Sequence, residues 1–333
     1  SSQIAGICFT HIAFSVLRAF YSQLTLRELF YRLADFSNIL LELDRQLAWL
    51  FHEIQGVEQQ CEIFISDNCS TDGTPEIIQK WQAVFTNTSF TTNRNLENIF
   101  GVPNLALCLQ AAKGKFVWTI GDDDRIKLGT LSHVLNLLKQ NPDLAMLYLN
   151  FNGYDERTCE SVNVNDIPDD HWLDASFAAT CKNGQAVFEH CIEQNFGAVI
   201  FLTATIYRTQ FVQEALRRWP ESKDNWGGQG FWTGFCATQG QVMITPDNYV
   251  ECKLGVSHWQ QEGLNWSKIG HRDIPEVFLK LEARAGYSRQ FCKKMVLKNY
   301  KDIQSKVTHI TTHVKTFLKW PRVAVSLVFL LLF

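Results

Sequence analysis

Apolar and polar positions along the chain follow two rhythms. Between residues 40 and 55 the apolar side chains Leu40, Leu43, Leu47, Leu50 and Ile54 recur at three- and four-residue spacing, which predicts an amphipathic helix. Residues 61–65 form a short apolar run, read as a buried strand, that opens into a polar, glycine-containing turn ending at Thr74. Pro75 suits the first turn of a helix, and residues 76–84 continue in helical rhythm. A further apolar helix is predicted over residues 105–112 and a buried strand around Val117. Leu131, Val134, Leu135 and Leu138 mark an amphipathic helix that stops at Asn141-Pro142. Residues 144–151 and 249–252 read as later strands. Strands alternating with helices predict an α/β fold, with a mostly parallel sheet covered by helices on both faces.

Two strand ends carry the candidate chemistry. The strand around Val117 terminates in Gly121 and three consecutive carboxylates, Asp122, Asp123 and Asp124. Like charges crowded at a strand end are unfavourable unless something neutralises them. A hard divalent cation, Mg2+ or Mn2+, shared between carboxylates and a phosphate does so. The plainer alternative is an acidic turn in which one aspartate caps the helix beginning near Thr130. The earlier strand ends in Asp67, at the sheet edge where α/β proteins collect ligands. Its alternative is turn chemistry, with Ser70, Thr71 and Asp72 as caps and Gly73 bending the chain.

In order and spacing these segments resemble the family 2 glycosyltransferases of the GT-A fold, of the bacterial surface-polysaccharide type. The matching pieces are Asp67 with Ser-Thr-Asp-Gly-Thr at 70–74, the turn Ala112-Lys113-Gly114-Lys115-Phe116, and Gly121 with the three aspartates. Between them, Asn95, Asn98, Gly101 and Asn104 are similar to the family's Asn-rich connection. The likeness covers residues 61 to about 150. It implies transfer of a sugar, with inversion, from a nucleotide-sugar donor to a hydroxyl of a glycan or lipid-linked acceptor in polysaccharide biosynthesis. Asp67, Asn98, Asp122 and Asp123 would bind the nucleotide sugar, with Asp67 on the base. Asp122 and Asp124 would hold the metal, and an alternative alignment selects Asp123 and Asp124. His258 is a further metal candidate, against the ordinary role of a packed histidine beside Trp259. Arg125 and Lys127 are candidates for the phosphates or for solvated surface.

The family draws its general base from the second half of the chain, where residues 221–232 combine carboxylates, glycines and two tryptophans. Asp224 is the candidate base and Glu221 its reserve, with Trp226 or Trp232 placed to stack on a sugar. The resulting division is an atypical segment 1–36, a GT-A domain 37–260 and a helical region 261–333 ending in an apolar tail. Within the domain, residues 37–150 form the nucleotide half and 151–260 the acceptor half.

Composition narrows the picture. A net charge of −3 over 333 residues gives no footprint for nucleic acid. Ten cysteines without a Cys-x-x-Cys pair fit reduced thiols and a cytoplasmic site. The uncharged tail 323–333 is shorter than the roughly 20 residues that span a bilayer. Lys315, Lys319, Trp320 and Arg322 suit a membrane interface, so contact with the inner face of the cell membrane is expected. At the other end, the family's first strand and its Pro-Thr-Tyr-Asn-like loop are not legible, and residues 24–33 are helical in pattern. That strand is therefore expected to be lost or altered, for which a shifted reading frame upstream of codon 37 would account. A disabled first strand would leave an inactive nucleotide-sugar-binding scaffold, and the aspartates alone would also serve a metal-dependent phosphohydrolase.

Overall fold

The computed structural model describes residues 5–11, 42–155, 160–162, 173–254 and 268–304. Its strands are β1 (Ala5–His11), β2 (Cys61–Asp67), β3 (Ser89–Arg94), β4 (Phe116–Gly121), β5 (Arg125–Ile126), β6 (Met146–Asp155), β7 (Glu160–Val162), β8 (Thr205–Arg208) and β9 (Val242–Leu254). They form one sheet in the order β3-β2-β1-β4-β8-β6-β9-β5, with β7 beside β6. The first four in that order are mutually parallel. β8 runs antiparallel between β4 and β6, and β5 is antiparallel to β9.

The position of β1 corrects the expectation of a lost first strand. Residues 5–11 pair in parallel with β2 on one side and β4 on the other, so Thr10 lies opposite both Ser66 and Gly121. The run Ala-Gly-Ile-Cys-Phe-Thr-His is short and rich in small residues, which hides it from a periodicity reading. Two open parallel edges supply the main-chain partners that select it. With that strand in place, its absence no longer argues for a shifted reading frame.

The helices are α1 (residues 42–53), α2 (Thr74–Val84), α3 (Gly101–Ala111), α4 (Thr130–Gln140), α5 (Ala175–Thr180), α6 (Gly184–Gln194), α7 (Phe196–Val199), α8 (Thr209–Arg218), α9 (Gly228–Ala237), α10 (Ile274–Ala285) and α11 (Arg289–Gln304). α1 buries Leu43, Leu47 and Leu50, with Ile54 just beyond it, each contributing about 1.5–3 kcal/mol relative to exposure. Trp49 on the same helix meets Trp118 of β4 edge-on at 6.1 Å, fixing the helix over the middle of the sheet. β6 crosses residues 150 and 151 and pairs along its length with β9, so one sheet continues through both halves of the chain.

Most of the aromatic residues are core. Trp118, Trp219 and Trp232 are among the largest fully buried side chains. Trp232 donates to Ser222 Oγ at 2.7 Å inside that core, so it cannot stack on a sugar; Trp226 is half-buried. Among the described residues, eight cysteines are free, and burial pushes the thiols of Cys61, Cys191 and Cys292 up to about 12. No helix among the described residues is long and apolar enough to cross a membrane. The tail 323–333 and the basic residues before it lie outside the described residues.

Candidate active site

The parallel strands β2 and β4 end at the same edge of the sheet, with β1 between them. Two strand spacings separate them by about 10 Å, so Asp67 and the three aspartates stand on either side of the end of β1.

At the β2 end, Asp67 is 1% exposed. Its Oδ1 accepts from the main-chain N–H of Ser70 at 2.8 Å and from the Ser70 hydroxyl. Oδ2 lies 3.3 Å from Arg94 Nε, outside hydrogen-bond geometry, and has no hydrogen-bond partner. Arg94 is held by its own bond to the Ser70 carbonyl at 2.7 Å. A buried carboxylate oxygen of this kind is available to an N–H of a ligand. Asp72 caps the following helix by accepting from Thr74 N at 3.0 Å.

The Asn-rich connection is a polar network behind Asp67. Asn68 donates to Asn98 Oδ1 at 2.9 Å and accepts from Asn95 at 3.0 Å and from Ile99 N at 3.0 Å. Asn95 also donates to Asn104 Oδ1 at 2.9 Å, and Asn104 donates to the Ser66 carbonyl at 3.1 Å. Asn98 therefore positions the loop through Asn68 and the Phe100 N–H, 2.8 Å away. The two non-glycine residues with left-handed backbone among those described, Cys69 (φ 67°) and Phe100 (φ 69°), belong to the loops on either side of this network.

At the β4 end, Gly121 allows the carboxylates to fold back over the strand. A Cβ there would lie 3.0 Å from Asp124 Oδ2, 3.2 Å from Asp123 Oδ1 and 3.3 Å from Thr203 Oγ1. Asp124 is 6% exposed, whereas Asp122 and Asp123 are half-buried. Thr203 donates its hydroxyl to Asp124 Oδ2 and accepts from Gly121 N at 2.9 Å. The main-chain N–H of Lys253 adds a second hydrogen bond to the Asp124 carboxylate. Burial nevertheless raises Asp124 to about 7, with the charges of Asp122 and Glu42 adding to it. Burial also pushes Asp123 well above the usual carboxylate range, helped by Asp124, Asp122 and Glu42. These carboxylates are crowded hard oxygen donors in want of positive charge. They fit a divalent cation whose other ligands come from a diphosphate. Among the described residues, no three His, Cys, Asp or Glu side chains form a ready-made metal cluster.

The capping alternative for this acidic turn gives way to Glu53. Its carboxylate reaches from α1 to accept from Gly129 N at 2.8 Å and Leu131 N at 3.2 Å, at the start of α4. Arg125 stacks over Tyr154 at 4.0 Å, and Lys127 is exposed.

Several site residues have no motif to announce them. Gln46 donates to the carbonyls of Gly121, at 3.2 Å, and of Asp124. Glu42 pairs with Lys253 at 2.5 Å and with Arg45 at 3.2 Å. Glu42, Gln46 and Glu53 form a polar stripe beside the apolar stripe of α1, all three buried. That misfit to simple amphipathicity is the readable signal.

The acceptor candidates belong to a short helical turn, Pro220–Asp224, that packs against α3, α8 and α9. Asp224 and Glu221 are exposed there. Asn225 is buried, bonded to the Asp273 carbonyl at 3.0 Å and to Glu276 at 3.2 Å. His258 lies outside the described residues.

A sheet whose parallel strands end in an acidic carboxyl edge, with an antiparallel β8 inserted beside β4, is the GT-A class of α/β fold. Residues 51–168 match the family described as glycosyl transferase family 2. Abequosyltransferase RfbV of Salmonella typhimurium (strain LT2) is 30% identical over 112 residues, which cover 34% of this chain and 32% of that protein. Among solved structures, S. aureus TarS 1-349 in complex with UDP-GlcNAc superposes with a TM-score of 0.61 at 12% identity, covering 96% of this chain and 81% of that one. S. aureus TarS gives 0.56 at 14% identity, over 91% and 44% of the two chains. Residues 51–168 thus resemble glycosyl transferase family 2, and the chain has the GT-A fold. It matches about a third of the length of its curated relative.

Proposed function

We propose that this chain transfers a sugar from a nucleotide-sugar donor to a hydroxyl of a glycan or lipid-linked acceptor in polysaccharide synthesis. The observation that carries this reading is the convergence of Asp67 and the three aspartates on one sheet edge through β2, β1 and β4. Oδ2 of Asp67, beside Arg94 but without a hydrogen-bond partner, accepts an N–H of the base, and Asn98 holds the loop that borders it. Asp122 and Asp123 face the diphosphate and the donor sugar, and Asp122 with Asp124 would hold Mg2+ or Mn2+. When bound, such a cation neutralises charge building on the leaving diphosphate. Thr203 and the Lys253 N–H fix Asp124, so that its carboxylate does not reorganise during the reaction.

Asp224 removes the proton of the acceptor hydroxyl as the acceptor oxygen attacks the anomeric carbon from the face opposite the diphosphate. The new C–O bond forms as the bond to the diphosphate breaks, inverting the centre. The nucleoside diphosphate departs with the bonding electron pair, and the proton resides on Asp224.

Calorimetric titration of nucleoside diphosphates and nucleotide sugars, with and without Mn2+, tests the donor site. Metal-dependent binding by the wild type that is lost in folded Asp124→Asn supports it; no binding to any donor by the folded wild type refutes it. Asp224→Asn is expected to lower turnover by about 100-fold or more with donor affinity kept. Full activity in that variant removes Asp224 from the reaction.

A further inference from the structure

At the sheet edge opposite the carboxylates, the start of β4 and the start of α8 border a cavity of about 340 Å3. Its lining includes Lys113, Lys115 and Arg208 and contains no acidic residue, in a chain whose net charge is −3. Lys115 Nζ and the Arg208 guanidinium carbon lie 5.8 and 5.0 Å from the centre of one ring, Phe116. Two cations gathered on one ring repel each other. The carbonyls of Leu144, at 2.8 Å, and Pro142 hold two guanidinium nitrogens of Arg208, and its remaining N–H donors are left for an anion. Asp143 is the acidic side chain whose charge reaches Arg208.

The surrounding main chain favours the same sign. α8 opens on this cavity with no side chain capping it, so its first turn presents the positive end of the helix. Thr209 at that first turn lines the cavity and is 6% exposed, and its hydroxyl oxygen is buried without a hydrogen-bond partner. Buried hydroxyls are ordinarily paired. The negative end of α3, which also reaches this edge, is covered: Gln213 Nε2 donates to the carbonyls of Leu109, Gln110 and Ala112 at 3.1, 3.3 and 3.0 Å. Glu62, behind the turn, is already held by the N–H groups of Lys113 and Gly114 at 2.6 and 2.7 Å.

We propose that this cavity is a second ligand site, distinct from the donor cleft, that binds a phosphate-type oxyanion through Lys113, Lys115, Arg208 and Thr209. The oxyanion is either free phosphate or the phosphomonoester headgroup of a lipid.

The test is titration of the full chain with inorganic phosphate against chloride at equal ionic strength, read by calorimetry and melting temperature. Saturable binding is expected, weakened about tenfold in Lys115→Ala and again in Lys113→Ala/Lys115→Ala, both at exposed positions. Thr209→Ser should keep the binding and Thr209→Val weaken it. Flotation with phosphatidylcholine vesicles, with and without phosphatidic acid, separates the sources. Flotation that needs the acidic lipid and both lysines assigns a headgroup, and phosphate binding without it assigns the free ion. The proposal is overturned if phosphate does no more than chloride, or if the double variant binds as tightly as wild type. It is also overturned if Asp124→Asn abolishes the binding, because phosphate would then report the carboxylate edge.

Discussion

Asp123 and Asp124 carry the tension in the site. The pKa of Asp124 stands at about 7 against an ordinary 3.8, so the folded chain holds that proton more tightly than the unfolded chain does. A carboxyl shifted in this direction contributes stability below pH 4 that is lost as pH rises through about 7. Asp123 is shifted the same way. Asp174, held at about 2 first by the Ser176 hydroxyl, acts only below that window. Denaturant unfolding of the ligand-free chain is therefore expected to show stability falling between about pH 4 and pH 7, by on the order of 2–4 kcal/mol. Asp124→Asn should flatten much of the slope, and an unchanged slope would mean that Asp124 titrates normally. Thr203→Val removes the hydroxyl donor and orphans Gly121 N, at a cost of about 1–3 kcal/mol. The aspartates were legible in sequence because an apolar run ending in three carboxylates is a local pattern. Thr203 was not, because it lies 79 residues away in sequence and nothing near it marks its role.

The same contrast holds among the elements. β2, β4 and the helix after each carry their own periodicity, and the structure places them as the sequence predicts. β3 went unread because Ser-Phe-Thr-Thr-Asn-Arg has a single large apolar residue and is largely exposed. It is a strand because β2 offers it an open edge. β1 went unread because small residues hide a strand that two neighbours select. α4 begins at Gly129, whose side chain can cap nothing, and the cap comes from Glu53 on another helix. Glu53→Ala should therefore destabilise by about 1–2 kcal/mol, with amide exchange rising first in the opening turn of α4. Uniform change across the sheet would instead assign Glu53 a global role.

For the whole molecule, the decisive contact joins the first described helix to the last strand. Glu42 and Lys253 are 211 residues apart, 6% and 9% exposed, and paired at 2.5 Å. Glu42 Oε2 is buried without a hydrogen bond, and its charge already reaches Asp123 and Asp124. Lys253 thus offsets the charge of Glu42 while its main chain holds Asp124. Replacing both members by apolar groups removes charge symmetrically, whereas removing Lys253 leaves the buried Glu42 with the half-exposed Arg45 as its partner. Lys253→Met is expected to cost about 3–5 kcal/mol, and Glu42→Leu/Lys253→Met to recover at least half of that. The single variant should also steepen the pH dependence above, because Glu42 would press on the aspartates with Arg45 alone to offset its charge. If the double variant is as unstable as the sum of the two single ones, the pair is not coupled. The closure of the sheet around the acidic edge would then rest on apolar packing alone.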